Sequence, residues 1–587
     1  MVMSPTWRGC TWLRISFWFV AIYMGAGDAW ATRFTMNPDG TSYLDIGDAY
    51  WQGDWHMAIN AYWSPFYSWI LGLFLKVLRP SPYWEYPLVH LVNFLIYVAA
   101  LACFEFFLGN FIRNRRASGK EPGETGEATL PEWAWWALGY SLFVWTSLVM
   151  ITIGTVTPDM CVAGFVYLSC GVILQIRAGG APLRAFVLLG VVLGFAYLAK
   201  GVMFPLAFVF LAVAMLSLGN LRNAAPRVAL SALVFLVITV PFMAAISRAK
   251  GRLTFGDSGG LNYATTINGV DSLYPGDSGI FKRPGFPYIE IEGLDIIESP
   301  SSKKLLHPVR RIFSTPATYQ FDGHVGGTYP FWYDTSYWQE GVKPHFDLRD
   351  QADAVIRGID CYRLLCLHDF RYLTVGLCIL FLLAQKRWWF LKRAAANWPL
   401  VVPGLVGLSL YAFTHVENRY IAPFVLLLWL AAFSGVRIPR SEGSRRLVAG
   451  ICIGIATSTI VSAVWYVGQN PTGASCIEPV YWQAAMSLKE LGIWPGDKIA
   501  VMAKEPVGGS VLFVARLART QIIAQVNRPD HFFAASPSTQ TQVLRAIAAS
   551  GAKAILTPDE PPHAASGTPW EPLDLTNYYI CLLDKGR

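Results

Sequence analysis

The chain has 587 residues, of which 54% are hydrophobic and only 15% charged. Soluble domains carry about 25% charged residues, so an ordinary water-soluble enzyme is excluded and an integral membrane protein is indicated. The net charge of +8 does not imply a nucleic-acid partner, because the basic residues gather in short loops between apolar segments and form no stripe interleaved with aromatics.

A bilayer core takes about 20 apolar residues as a helix. Eleven such segments are read in chain order: residues 12–32, 84–110, 133–154, 160–176, 184–203, 204–219, 228–247, 370–386, 397–414, 419–436 and 446–467. The expected fold is therefore a multi-pass α-helical membrane protein of about eleven transmembrane helices over residues 1–467. A soluble α/β domain is expected at 468–587. Ahead of the first segment, Arg8 and Arg14 precede an apolar run that ends in Ala29-Trp30-Ala31. That pattern also suits a cleavable signal peptide; an uncleaved helix is the reading taken, and the next loop is outside in both cases.

The first outer loop, 33–83, opens with Asn37-Pro38-Asp39-Gly40-Thr41-Ser42-Tyr43-Leu44-Asp45. Two carboxylates beside an apolar surface suit a general base of raised pKa, and equally suit solvated turn and cap residues. Farther on, Trp63-Ser64-Pro65-Phe66-Tyr67-Ser68-Trp69 starts an apolar run to Leu78 that is too short to span. It is expected to lie on the outer surface as a helix.

Thr157-Pro158-Asp159 begins the fourth span at its outer end. Proline and an acid are ordinary there, but Asp159 falls on the same side as Asp39. Lys200, in Tyr197-Leu198-Ala199-Lys200-Gly201, closes the fifth span at that face; it suits a lipid phosphate or a snorkelling side chain. The second outer region, 248–368, carries six aromatics between Gly326 and Trp338. Trp332, Tyr333 and Trp338 among them are candidates for stacking on a sugar, with a small folded cap as the alternative. His415-Val416-Glu417-Asn418-Arg419-Tyr420 fills the outer turn before the tenth span. Arg419 and Tyr420 suit a phosphate and its apolar tail, and a Glu417–Arg419 salt bridge is the plainer reading.

From 479 onward, helix-like and strand-like runs alternate (479–491, 498–502, 508–519, 520–526, 538–550, 552–557, 578–583), the pattern of an α/β sandwich. Gly508-Gly509-Ser510 is at most a weak anion seat. The ten cysteines form no metal pattern. A Cys476–Cys581 disulfide is conceivable from their outside location.

Orientation follows from the basic loops. Arg113, Arg115, Arg116 and Lys120 fall on one side with Lys386, Arg387, Lys392, Arg393, Arg437, Arg440, Arg445 and Arg446, whereas the short turns of the other side hold Lys200 and Arg419. The positive-inside rule then sets the N-terminus in the cytoplasm and residues 468–587 outside it, with a bacterial inner (plasma) membrane as the expected location.

The order of these parts resembles the GT-C superfamily of lipid-phosphate-dependent glycosyltransferases, in particular the branch of the aminoarabinose transferase and the protein O-mannosyltransferases. Pro38-Asp39-Gly40-Thr41-Ser42-Tyr43 looks like that family's first acidic motif and Thr157-Pro158-Asp159 like its second. Leu198-Ala199-Lys200-Gly201 and Glu417-Asn418-Arg419-Tyr420 have counterparts in relatives. The resemblance runs to about residue 436. It implies a sugar donor on a polyprenyl phosphate, a glycan, lipid or protein acceptor, Asp39 as base, Asp159 and Asp45 as catalytic companions, and Lys200, Glu417, Arg419 and Tyr420 at the substrate. Some relatives use a divalent cation; no ligand set is legible here, so the metal is unknown. Trp63-Ser64-Pro65 replaces the Glu-Lys-Pro of the aminoarabinose transferase, and Gly40 breaks the mannosyltransferases' Asp-Glu pair, so neither acceptor specificity carries over. A flippase or transporter for a lipid-linked glycan, and a glycan ligase or polymerase, are the alternatives. A transporter is expected to put ionisable groups at the bilayer midplane on broken helices, a pattern this sequence lacks.

Overall fold

The computed structural model describes residues 5–118, 127–179, 182–268, 305–321, 325–384, 389–439, 441–469, 478–503, 510–561, 570–573 and 576–583. Five helices are long and apolar enough to cross a membrane: Pro82–Arg116, Glu132–Ile151, Asp159–Arg177, Leu221–Ala249 and Glu442–Gln469. A bent pair, Leu348–Asp369 with Arg371–Leu383, passes the same criterion as one unit, and Leu183–Ala199, Met203–Ser217, Trp398–Ala412 and Asn418–Ser434 are shorter apolar helices beside them. The first helix, Pro5–Ala31, is not among them, so among the described residues five helices, or six with the bent pair, meet the length and hydropathy of a span where eleven were expected. Inside the bundle Glu105 is paired, as an apolar surround favours: it meets Arg14 and Tyr140, and Trp18 donates to it at 3.3 Å.

The run after the first helix is helical. Pro at the first turn and an N-cap Asn37 start the helix Pro38–Gln52, which ends at Gly53 in the left-handed conformation. The expected surface helix follows as Pro65–Leu78. The two touch through paired glycines: a Cβ on Gly72 would stand 2.7 Å from the Gly47 carbonyl oxygen, and one on Gly47 2.7 Å from that of Ser68. Only residues without a Cβ permit this approach.

Beyond the bundle lies a sheet of seven strands among the described residues, in the order Arg310–Phe313, Thr318–Gln320, Gln521–Val526, Lys498–Met502, Ala554–Thr557, Tyr579–Leu582, Trp570–Pro572. Its centre is parallel and its flanks antiparallel. Helices Val480–Glu490, Val511–Ala518 and Pro537–Ala549 alternate with the central strands. Strands 310–320 come from the second outer region, so the sheet is built from both. Cys476 and Gly508-Gly509 lie outside the described residues.

One buried arginine ties the sheet's helices to the outer loop. Arg516, 3% exposed, meets Asp45 at 2.5 Å, Asp48 at 2.7 Å and Glu85 at 2.7 Å, and the neighbouring Arg519 also pairs with Glu85. Removing one partner of a buried ion cluster typically costs about 3–5 kcal/mol, because the remaining charges stay buried uncompensated. Arg516→Met is therefore expected to lower the thermal unfolding midpoint and expose residues 478–583 to limited proteolysis, without loss of the helical far-UV signal. Proteolysis indistinguishable from wild type would show that the cluster does not hold this region down.

Candidate functional site

Four elements distant in sequence deliver their polar ends to one place. Asp39 sits in the first turn of Pro38–Gln52, and Asp159 opens the helix Asp159–Arg177. Lys200 caps the helix Leu183–Ala199, and Glu417 stands at the N-cap of Asn418–Ser434. Helix termini leave polar groups unsatisfied, so converging ends are where charged side chains can be accommodated at least cost.

The two acidic starts are locked together by Asn37. Its side-chain oxygen accepts from the Val156 backbone N–H at 2.8 Å, and its amide donates to the Val156 carbonyl at 3.4 Å. Gly40 lets the segments close, since a Cβ there would lie 2.7 Å from that of Val156. The backbone thus fixes the separation of Asp39 and Asp159 before either side chain is considered.

Arg419 bridges the carboxylates. Its guanidinium lies 3.6 Å from Asp39 Oδ2, 3.8 Å from Asp159 Oδ2 and 2.6 Å from Glu417 Oε2. Lys200 Nζ meets Asp159 Oδ1 at 2.5 Å and lies 3.5 Å from the centroid of the Tyr420 ring, an ammonium over an aromatic face. Tyr420 accepts from Arg419 at 3.1 Å and stacks on Tyr411. Asp159 is 3% exposed, whereas Asp39, Arg419 and Lys200 retain 19–22%, so the cluster is open on the side of Asp39. Asp159 Oδ2 has no hydrogen-bond partner among the described residues.

Burial raises the Asp39 carboxyl above its ordinary pKa; the Arg419 charge and a hydrogen bond from Trp332 Nε1 at 3.3 Å oppose this, and the Glu417 and Asp159 charges add to it. Burial also pushes Glu417 upward, but its hydrogen bond with His415 at 3.0 Å and the Arg419 charge outweigh it and hold that acid at about 2. The two acids are therefore shifted in opposite directions, Glu417 below its ordinary range beside Arg419 and Asp39 above it. Among the described residues no group of three or more His, Cys, Asp or Glu converges as a ligand set for a cation. Instead the carboxylates are paired with Arg419 and Lys200.

Of the residues singled out from sequence, Asp39, Asp159, Lys200, Glu417, Arg419, Tyr420 and Trp332 meet here. Asp45, Tyr333 and Trp338 do not. Six residues along a helix turn it by about 240°, which carries Asp45 to another face. There it accepts from the Thr328 backbone N–H at 2.7 Å and its hydroxyl at 3.0 Å, and pairs with Arg516. Tyr333 is buried and donates to the Met57 carbonyl. Trp338 is buried against Phe321 and Phe331 and donates to the Pro330 carbonyl at 2.9 Å. Both shape the segment that presents Trp332. Residues not singled out also line the site: Trp63 donates to the Trp332 carbonyl at 3.2 Å and Ser42 to the same oxygen at 3.2 Å. The Trp63-Ser64-Pro65 run was the one available signal for the former.

No family model and no curated protein matches the chain. Among solved structures it is similar to ArnT from Cupriavidus metallidurans in the apo state, at 13% identity and a TM-score of 0.48 over 94% of this chain and 93% of that one. ArnT bound to undecaprenyl phosphate is similar at 12% identity and a TM-score of 0.46, over 100% and 99% of the two chains. The archaeal oligosaccharyltransferase AglB from Archaeoglobus fulgidus, in complex with an inhibitory peptide and a dolichol-phosphate, follows at 11% identity and a TM-score of 0.46, over 93% and 69%. The residues of this chain, and not the likeness, carry the functional reading below.

Proposed function

We propose that the chain is a membrane glycosyltransferase that moves a sugar from a polyprenyl phosphate to an acceptor hydroxyl on the non-cytoplasmic face, with inversion at the anomeric carbon. The supporting observation is the partition of Arg419 between Asp39 and Asp159, with Lys200 alongside. One partly accessible base thus stands beside two cations at the outer ends of apolar helices.

Asp39 takes the acceptor hydroxyl proton as that oxygen attacks the anomeric carbon. The bond from that carbon to the phosphate oxygen breaks, and its electron pair stays on the departing polyprenyl phosphate. Arg419 and Lys200 are within reach of that growing charge, and preformed cations in a water-poor site are where such stabilisation counts most. Asp159, with an oxygen lacking a hydrogen-bond donor, suits an acceptor hydroxyl or holds Lys200 in position. Trp332 offers an apolar face above Asp39 for a sugar ring. Asp45, in this reading, is a structural anchor.

The proton-transfer role has a pH signature. The base works only when ionised, so activity is lost as pH falls through the Asp39 pKa, which burial has raised above the ordinary carboxylate range. The hydrogen bond from Trp332 favours the ionised form. Trp332→Phe is therefore expected to move the acid limb of kcat to higher pH and lower turnover several-fold. An acid limb in the same position for both proteins would remove Asp39 from the proton-transfer step.

A further inference from the structure

Away from the acidic cluster, two cavities lie side by side, with Pro80 in the lining of both. The first is a groove of about 450 Å³ between the outer ends of the helices Pro5–Ala31 and Pro82–Ser118, walled by Ala29, Trp30, Leu88, Leu91 and Phe94, with Arg33 at its margin. Its size is within the range of small-ligand pockets, about 300–1,000 Å³. The second, of about 280 Å³, is lined by Lys76, Arg79, Arg519 and Asp48. Pro80 lines both, and the consecutive residues Leu78 and Arg79 line one each. No member of the Asp39–Asp159 cluster lines either cavity.

The chemistry changes sharply across Pro80. On one side the wall is almost wholly apolar. On the other the balance is cationic, because Asp48 is already engaged by Arg516 and Arg519. That leaves Lys76 and Arg79, both exposed, without an ion-pair partner among the described residues. Trp30 and Trp84, 64% and 54% exposed, flank the apolar side at the helix ends, where tryptophan marks the level of lipid headgroups. Arg33 stacks on Trp30 and Phe34 at 4.4 and 4.6 Å, a second cation at that level. An occupant needs a negative head and an apolar tail.

We propose that this surface binds an anionic phospholipid of the outer leaflet, its phosphate at Lys76 and Arg79 and an acyl chain in the groove between the two helices. Charge complementarity selects the head, and the adjacency of the two cavities, which share Pro80 in their lining, selects an amphiphile over a soluble anion. The bound lipid would stiffen the joint between the surface helix Pro65–Leu78 and the first two membrane helices. The site stands apart from the proposed donor site and does not depend on it.

Native mass spectrometry of the full-length protein tests this, with dioleoyl phosphatidylglycerol and dioleoyl phosphatidylcholine supplied at equal concentration. Wild type is expected to retain phosphatidylglycerol in preference. The double variant Lys76→Gln/Arg79→Gln should retain at least about tenfold less of it, with phosphatidylcholine unchanged, and Ala29→Trp, which fills the groove, should lose it as well. Lys489→Gln, a basic residue elsewhere, should behave as wild type. The proposal is overturned if the double variant keeps wild-type retention, if the two lipids are retained equally, or if inorganic phosphate displaces phosphatidylglycerol, since a head-only site needs no groove.

Discussion

On the proposed mechanism, Asp39→Asn is expected to lower glycosyl transfer by about 100- to 10,000-fold, the range that a positioned general base contributes, while the protein still folds and binds its donor. The substitution keeps the size of the side chain and its hydrogen bond from Trp332, but it removes proton affinity. The carboxyl in question is also the more exposed of the two aspartates that Arg419 bridges. Transfer measured under single-turnover conditions isolates the step. A variant with near wild-type transfer would assign the proton to another group and leave Asp39 as a partner for Arg419.

Arg419→Lys is expected to cost about 100- to 1,000-fold in kcat, comparable to the loss of one preorganised donor at a developing charge. Charge is conserved, so a point cation would suffice if only attraction to phosphate mattered. The structure asks more of this residue. One planar guanidinium spans Asp39, Asp159 and Glu417, and an ammonium offers neither the fork nor the reach. Donor KM should change far less than kcat if the contact strengthens mainly as the phosphate departs. A large rise in KM with kcat intact would instead make Arg419 a ground-state binding residue.

Much of this cluster was legible because its members obey one rule. Asp39, Asp159, Lys200 and Arg419 each stand at the end of an apolar run, and the fold brings those ends together. Distance in sequence was therefore no obstacle. What the sequence did not disclose is direction about a helix or within a fold. Asp45 was a structural or accessory candidate by sequence; the stretch between it and Asp39 is helical, and its partners, Thr328 and Arg516, lie 283 and 471 positions away in the chain. Tyr333 and Trp338 shared their aromatic composition with Trp332, yet they pack inward, and composition alone does not distinguish a ring that faces a substrate from one that fills a core. Asn37 was passed over for a different reason. It reads as a helix cap, whereas its side chain bonds the Val156 backbone and so sets the spacing of the two aspartates.

The alternation after residue 479 was readable from period and strand composition, but the sheet's outer strands were not. Arg310–Phe313 and Thr318–Gln320 are short and come from a region rich in turns. Their pairing with Gln521–Val526 is a long-range contact with no local signal. It links the C-terminal strands to the segment that carries Trp332, and the Ile522 N–H donates to the Thr328 carbonyl at 2.8 Å within that link.

The central claim is transfer from a lipid monophosphate by single displacement. The purified protein in lipid vesicles, given a panel of polyprenyl-phosphate sugars with an acceptor extract, tests it most directly when lipid release is followed by mass spectrometry and the product's anomeric configuration by NMR. The account predicts one polyprenyl phosphate released per sugar transferred, with the anomer inverted. Retention of configuration, or turnover only with pyrophosphate-linked glycans, would contradict it.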